Sequence, residues 1–274
     1  MPTPVIELKR LVGAQGLALK LETRSQNGTW YDRLVPRLLA LAPEGPLYEA
    51  GDGPLAISIA AHHQSASPSL EVWLPEDVPV DVVQALRGLH AKVTLTPFAE
   101  GPAGARQRAR LVGPLLSDSG SMLALRVHVR REIIEELMQQ AAPEVLVLGF
   151  DTGASAMAAI DLGVKQVVLV QPAAAQVLSG GAWKPHRLFG LASGSPVKID
   201  VRKYEVETVS DEEAFATRQQ VGAKEGLLLS HANAACVTAA MRVIARKPGA
   251  KVAVIADESG ERYFPIDARF EAKP

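Results

Sequence analysis

The stretch Val145-Leu146-Val147-Leu148-Gly149-Phe150-Asp151-Thr152-Gly153-Ala154-Ser155 decides how the chain is read. Val145 to Leu148 are apolar with no polar alternation, the pattern of a strand buried on both faces of a sheet. A turn at Asp151–Gly153 follows, then a small-residue helical pattern over 154–162 and a second apolar strand at 166–170. Strand, helix and strand at this spacing make a parallel unit. The same alternation runs outward in both directions. Strands are expected at 17–21, 47–49, 70–74, 92–95 and 251–256, and helices at 30–41, 55–63, 80–89, 131–141, 211–223 and 234–245. Ser210-Asp211-Glu212-Glu213 opens a helix with acidic residues facing the helix dipole, and Lys247-Pro248-Gly249 stops one. Residues 101–120, rich in Gly, Ser, Pro and Arg, read as a loop or weak helix. Seven strands in 274 residues imply an α/β protein of two lobes. Each lobe is an open, mostly parallel twisted sheet with helices on both faces.

Composition narrows the function classes. Apolar residues at 47% and charged residues at 22% exclude disorder, collagen and coiled coil. A net charge of −1 with no basic block gives no case for nucleic acid. One cysteine, Cys236, permits no intrachain disulfide and no cysteine-based zinc site; it reads as a core residue. Met1-Pro2-Thr3-Pro4 lacks the basic and apolar regions of a signal peptide, and no apolar run reaches about 18 residues. A soluble, cytoplasmic protein without a membrane span is expected. His62 and His63 point about 100° apart on a helix and do not chelate together, so no metal site is expected. The basic clusters at 106–110 and 126–131 read as solvated faces of surface helices.

Several segments, in order, carry a family resemblance. Thr3-Pro4-Val5-Ile6-Glu7-Leu8 and Leu19-Lys20-Leu21-Glu22 stand near the start. Gln171-Pro172, Leu178-Ser179-Gly180-Gly181 and Pro185-His186-Arg187 with Gly190 follow. Asp257-Glu258-Ser259-Gly260-Glu261-Arg262-Tyr263 stands near the end. Together they resemble the cysteine synthase (O-acetylserine sulfhydrylase) family of fold-type II pyridoxal-phosphate enzymes over nearly the whole chain. The resemblance implies the tryptophan synthase beta-like fold, with a smaller lobe over 35–142 and a larger one from 1–34 and 143–274. It also implies a longer chain than this one, the difference falling near 101–129.

The resemblance points to four functional segments, and each departs from the family's pattern. In Ser25-Gln26-Asn27-Gly28-Thr29-Trp30-Tyr31-Asp32-Arg33, Gly28, Asp32 and Arg33 keep the register and Tyr31 takes the place of the Schiff-base lysine. A phenol has no primary amine to form an imine; the alternative reading of Tyr31 is an aromatic cap. Gly51-Asp52-Gly53-Pro54-Leu55 replaces the substrate-carboxylate loop. There Asp52 repels a carboxylate and Pro54 removes a donor. Asp151-Thr152-Gly153-Ala154-Ser155 replaces the phosphate loop. Thr152, Gly153 and Ser155 remain anion donors, whereas Asp151 opposes a phosphate by an energy on the order of several kcal/mol. Ser230-His231-Ala232-Asn233-Ala234-Ala235 replaces the pyridine-nitrogen serine motif. His231 and Asn233 read either as cleft residues or as structural ones.

Function lives in the site rather than in the fold. The expected role is therefore a catalytically degenerate, cysteine-synthase-like binding, regulatory or partner subunit without a cofactor. Its cleft would be lined by Tyr31, Asp52, Asp151, Thr152, Gly153, Ser155, His231 and Asn233 and would take an unknown small ligand. The alternative is an enzyme of the same family, or a repurposed lyase or transferase, with pyridoxal phosphate still bound. The resemblance implies a homodimer and allows association with a true cysteine synthase.

Overall fold

The structure, a computed structural model, describes residues 2–13, 16–51, 53–63, 69–192 and 198–271. The chain forms two compact units, one from Met1–Arg24 with Arg126–Pro274 and one from Ser25–Leu125. The larger unit opens with β1 (Val5–Glu7), α1 (Lys9–Val12) and β2 (Leu17–Leu21). The smaller unit holds α2 (Tyr31–Leu39), β3 (Leu47–Ala50), α3 (Gly53–His62), β4 (Leu70–Pro75), α4 (Val80–Gly88), β5 (Lys92–Thr96) and α5 (Gly101–Arg110). After α6 (Met122–Ala141) come β6 (Val145–Gly149), α7 (Ala154–Asp161), β7 (Gln166–Pro172), β8 (Glu205–Val209), α8 (Asp211–Glu225), α9 (His231–Arg246), β9 (Val252–Ala256) and α10 (Phe264–Glu271).

The larger unit is built on a six-stranded sheet in the order β1-β2-β9-β6-β7-β8. Only β1 runs antiparallel. Val145 pairs with Gln166 on one side and with Val252 on the other, so β6 is where the order reverses: β7 and β8 lie to one side, β9 and β2 to the other. Open α/β sheets bind ligands at the carboxyl ends of strands beside such a reversal. Val147, Val168 and Val254 fill the sheet's core, and Ala235, Ala239 and Val243 of α9 are buried with them. Small residues let that helix lie close. β8 was not expected. Its sequence, Glu-Val-Glu-Thr-Val, alternates as an edge strand can, and of its residues Val209 alone is fully buried.

The motifs that carry the resemblance are polar staples in this unit. Gln171, fully buried, donates to Ser179 Oγ at 3.0 Å and to Thr208 Oγ1 at 3.2 Å, and accepts from Leu178 N at 2.9 Å. Any Cβ on Gly260 would overlap the Arg218 guanidinium and the Leu229 carbonyl. Tyr263 Oη donates to Glu258 Oε1 at 2.6 Å. Ser210 caps α8 as the sequence implied, accepting from Glu213 N at 3.2 Å while the Glu213 carboxylate accepts from Ser210 N at 2.9 Å.

In the smaller unit β3, β4 and β5 pair in parallel. Leu34, Val35 and Leu38 of α2 are buried, and α2 packs on α3. Residues 101–110 form a full helix rather than a loop. Pro102 sits in the first turn, where a missing N–H costs little. Arg108 bridges to Glu100, and Arg110 to Asp118. The unit's limits, Ser25 and Leu125, compare with the 35 and 142 expected from the motifs.

Lys20 on β2 has 0% exposure, and its Nζ donates to Thr3 O at 2.8 Å, Glu136 Oε2 at 2.7 Å and Gln140 Oε1 at 2.9 Å. A buried ammonium is tolerable only with such partners. Lys20→Met leaves the Glu136 carboxylate without this cation, and stability measured by urea unfolding should fall by about 3 kcal/mol. The double variant Lys20→Met/Glu136→Met should recover most of it; equal stability of wild type and single variant would show that the pair contributes nothing.

Candidate functional site

The loop after β6 is held where it begins, by both backbone polar groups of Phe150. Phe150 N donates to Val170 O at 2.9 Å, and Ala192 N to Phe150 O at 2.8 Å. Gly153 takes φ +86° as the residue before α7, and a Cβ there would come 2.9 Å from Ile199 Cγ2, so only glycine fits. Half-buried Thr152 and Ser155 flank the first turn of α7. Helix starts present backbone N–H groups and the positive dipole end to an anion. The structure thus brings Asp151, Thr152, Gly153 and Ser155 together in one loop beside the reversal of strand order.

Two arginines of α6 change the electrostatics of this edge. Arg126, 6% exposed, places Nη1 3.6 Å from Asp151 Oδ2. Arg130, one turn on and 7% exposed, grips Asp257, with Nη2 donating to Oδ2 at 3.0 Å and Nη1 bonded to Oδ1. The expected solvated face at 126–131 therefore holds for Arg131, which pairs with Glu135 at the surface, and not for Arg126 or Arg130. Asp151 carries its charge beside a cation, which offsets the repulsion assigned to it on sequence grounds. The signal for this was the i, i+4 spacing of Arg126 and Arg130 on a helix whose Val129 and Ile133 are buried.

Asn233 reaches the same edge but has both amide atoms engaged. Its Nδ2 donates to Glu258 O at 2.9 Å, and its Oδ1 accepts from Asp257 N at 3.1 Å. Ala232 beside it has no donor. Burial pushes the Cys236 thiol above its ordinary range, so it is no nucleophile.

His231 turns to a different environment. Its ring stacks on Phe215 and Phe270, with centroids at 6.3 Å and 5.8 Å, and Tyr263 meets it edge-on at 6.1 Å. Nε2 stands 3.0 Å from Asp267 Oδ1. Asp267 also accepts from Arg218, at 3.0 Å from Nε and 2.8 Å from Nη2. Burial lowers the His231 pKa from 6.5 to about 4, against the pull of the Asp267 charge.

The other sites proposed from sequence lie in the smaller unit. Tyr31 opens α2, is 6% exposed and packs on Trp30 at 4.4 Å between ring centroids. Asp32 braces the segment before it, accepting from Asn27 N at 2.6 Å, Asn27 Nδ2 at 2.8 Å and Ser58 Oγ at 2.8 Å. Asp52 falls outside the described residues. Before it, Gly51 at φ +113° leaves room for the Arg106 guanidinium, whose Nε lies 3.5 Å from Ala50 O. Glu49, fully buried, accepts from Ser117 N at 3.0 Å and Ser117 Oγ at 2.6 Å. Among the described residues no three His, Cys, Asp or Glu gather as metal ligands, and no helix is long and apolar enough to cross a membrane.

A family model described as "Pyridoxal-phosphate dependent enzyme" matches residues 1–257. The chain is 25% identical to a probable cysteine synthase of Bacillus subtilis over 97% of its own length and 94% of that protein's. It is 26% identical to an O-acetylserine dependent cystathionine beta-synthase of the same organism, over 96% of this chain and 93% of that one. Among solved structures, O-ureido-L-serine synthase superposes with a TM-score of 0.83 at 21% identity, covering 95% of this chain and 90% of that chain. The cysteine synthase of Entamoeba histolytica superposes with a TM-score of 0.85 at 18% identity, covering 99% and 89%. The chain belongs to the pyridoxal-phosphate dependent enzyme family, in its cysteine-synthase-like, fold-type II branch.

The His231 environment sets an acid limit on stability. The folded ring binds a proton less readily than the unfolded one. Its contribution is therefore complete above about pH 6.5 and is lost as pH falls towards about 4, a change on the order of 3 kcal/mol. Burial also lowers His186 to about 4 and adds a second share. In His231→Phe, which keeps the stack, urea stability should fall less between pH 7 and pH 4.5 than in the wild type; equal slopes would place the titration elsewhere.

Proposed function

We propose that the chain is an enzyme of the cysteine-synthase-like class, a transferase or lyase acting at the β-carbon of an O-substituted serine. Its cofactor is a pyridoxal phosphate held through the phosphate. The observation that carries this reading is the Arg126–Asp151 pair, which removes the charge objection to an anion at the start of α7. Thr152 and Ser155 supply hydroxyls and α7 supplies backbone donors. When bound, the cofactor serves as an electron sink for negative charge at the substrate α-carbon.

The segments 25–33, 149–155 and 230–236 contain no lysine, and the ammonium of Lys20 is spent on Thr3, Glu136 and Gln140. The cofactor would therefore be held without a covalent bond to these segments, through its phosphate on Thr152, Ser155 and the start of α7. The chain works in the cytoplasm as a homodimer.

A second reading is favoured by Ala232, which has no donor for a pyridine nitrogen, and by Asn233, whose amide is committed to the loop after β9. Here the protein is a degenerate binding, regulatory or partner subunit. It carries no cofactor chemistry and associates with a true cysteine synthase or takes a small ligand.

The two readings separate on one preparation. The enzyme reading expects a visible absorbance band after incubation with pyridoxal phosphate and desalting. It also expects that borohydride leaves the cofactor removable by denaturation, and that sulfide is consumed with O-acetylserine. A protein that stays colourless at saturating cofactor and shows no turnover would establish the second reading.

A further inference from the structure

We infer that the outer edge of β5 is an interface between two copies of this chain, paired antiparallel about a twofold axis at Thr94. The inference goes beyond the homodimer proposed above, which names no surface, and stands whether or not the chain binds a cofactor. Parallel strands are ordinarily buried on both faces, as β3 and β4 largely are. β5 is not. Lys92 and Thr94 are exposed on one face, and on the other Leu95 is 45% exposed beside half-buried Val93. β5 ends its sheet, and among the described residues no backbone bond crosses its outer side.

Open edges invite pairing, and the other sheet edges among the described residues are short, bridged or charged. β1 has three residues. Beside β3, Tyr48 bridges to Leu115. β8 carries Glu205 and Glu207, which pair with Lys247, Arg242 and Arg246. On β5 the single charge, Lys92, is drawn back to Glu71 of β4 at 2.9 Å, so it does not guard the outer side. The pattern selects a second copy of the same strand. With Thr94 opposite Thr94, Val93 meets Leu95 on one face and Lys92 meets Thr96 on the other. Apolar residues thus meet apolar ones, and no like charges face each other across the seam. The ends of the strand fix this register. An axis at Val93 would pair Thr96 with His90, whose φ of +64° is not that of a strand. An axis at Leu95 would pair Val93 with Pro97, which has no N–H to give. Antiparallel pairing also sets the start of one strand against the end of the other, which brings exposed Leu89 and Phe98 to the two ends of the seam. Such a contact is self-complementary and closes at two copies.

Sedimentation and cross-linking of the full chain test the pairing. The wild type should associate with rising concentration. Thr94→Lys should weaken that association at least about tenfold, since two ammonium groups then oppose each other on the axis. Thr94→Glu should do the same, and an equimolar mixture of the two variants should recover pairing, because Lys then meets Glu. If a second interface also operates, Thr94→Lys should halve the mass of the assembly. Thr94→Cys should form a disulfide between copies under air oxidation, because directly opposed residues lie about 4.5–5.5 Å apart. Lys92→Cys should not, its two copies being roughly 13 Å apart along the strands. The native thiol, Cys236, is buried away from this reaction. Both substituted positions are exposed, and circular dichroism checks folding. A wild type that stays monomeric, its β5 then being open to a different chain, would overturn the inference and leave the proposed enzyme standing. So would association of Thr94→Lys and Thr94→Glu equal to that of the wild type, or equal cross-linking from positions 92 and 94.

Discussion

One row of polar side chains on α6 organises the larger unit. Arg126 meets Asp151 after β6, Arg130 meets Asp257 after β9, and Glu136 with Gln140 meets Lys20 on β2. A single helix therefore holds three strands, two of them at their carboxyl ends. Each contact withdraws charge from water, which is costly, and each is tolerable because a partner of opposite sign or matched hydrogen bonding stands opposite. The hydrophobic core would fix the sheet's layers without this row. The row fixes where the strand ends and their loops stand against the helix, and the loop at 151–155 inherits its charge from that placement.

The resemblance motifs and the site obey different constraints. Lys20, Gln171 and Gly260 each sit where a change would strand a buried polar atom or overlap a backbone carbonyl. Thr152 and Ser155 lie half-exposed, where a change of side chain costs less. Fold and chemistry can therefore diverge within one chain. The same asymmetry explains the placement of His231 and Asn233. Both are more than nine-tenths buried and serve the packing of α9 against the loop after β9 and against α10.

Much of the fold was legible because its decisive strands are buried on both faces. Val145–Gly149 and Leu17–Leu21 could be read residue for residue. β8 could not, because an edge strand keeps polar residues at alternate positions. α5 could not, because Pro102 and Gly104 look like breakers until their place in the first turn and against Glu100 is known. The start of α6 read as a charged surface, since sequence alone does not show that Arg126 and Arg130 are buried against carboxylates 25 and 127 positions away. At the site, the loop at 151–155 was legible from its strand–turn–helix context, whereas its charge state was not, for the same non-local reason.

The interleaving of the two units bears on how the chain is made. Residues 25–125 form a contiguous unit with local strand pairings, such as Leu47 with Leu70. In the larger unit the pairing of Leu17 with Val252 joins the sheet's β1–β2 side to the rest. On the ribosome the smaller unit has its whole sequence available early, while β2 waits for β9 with one edge unpaired. The side of β2 that will meet β9 is thus the surface a chaperone would need to shield during synthesis, and a stalled chain would expose a ready template for β-aggregation.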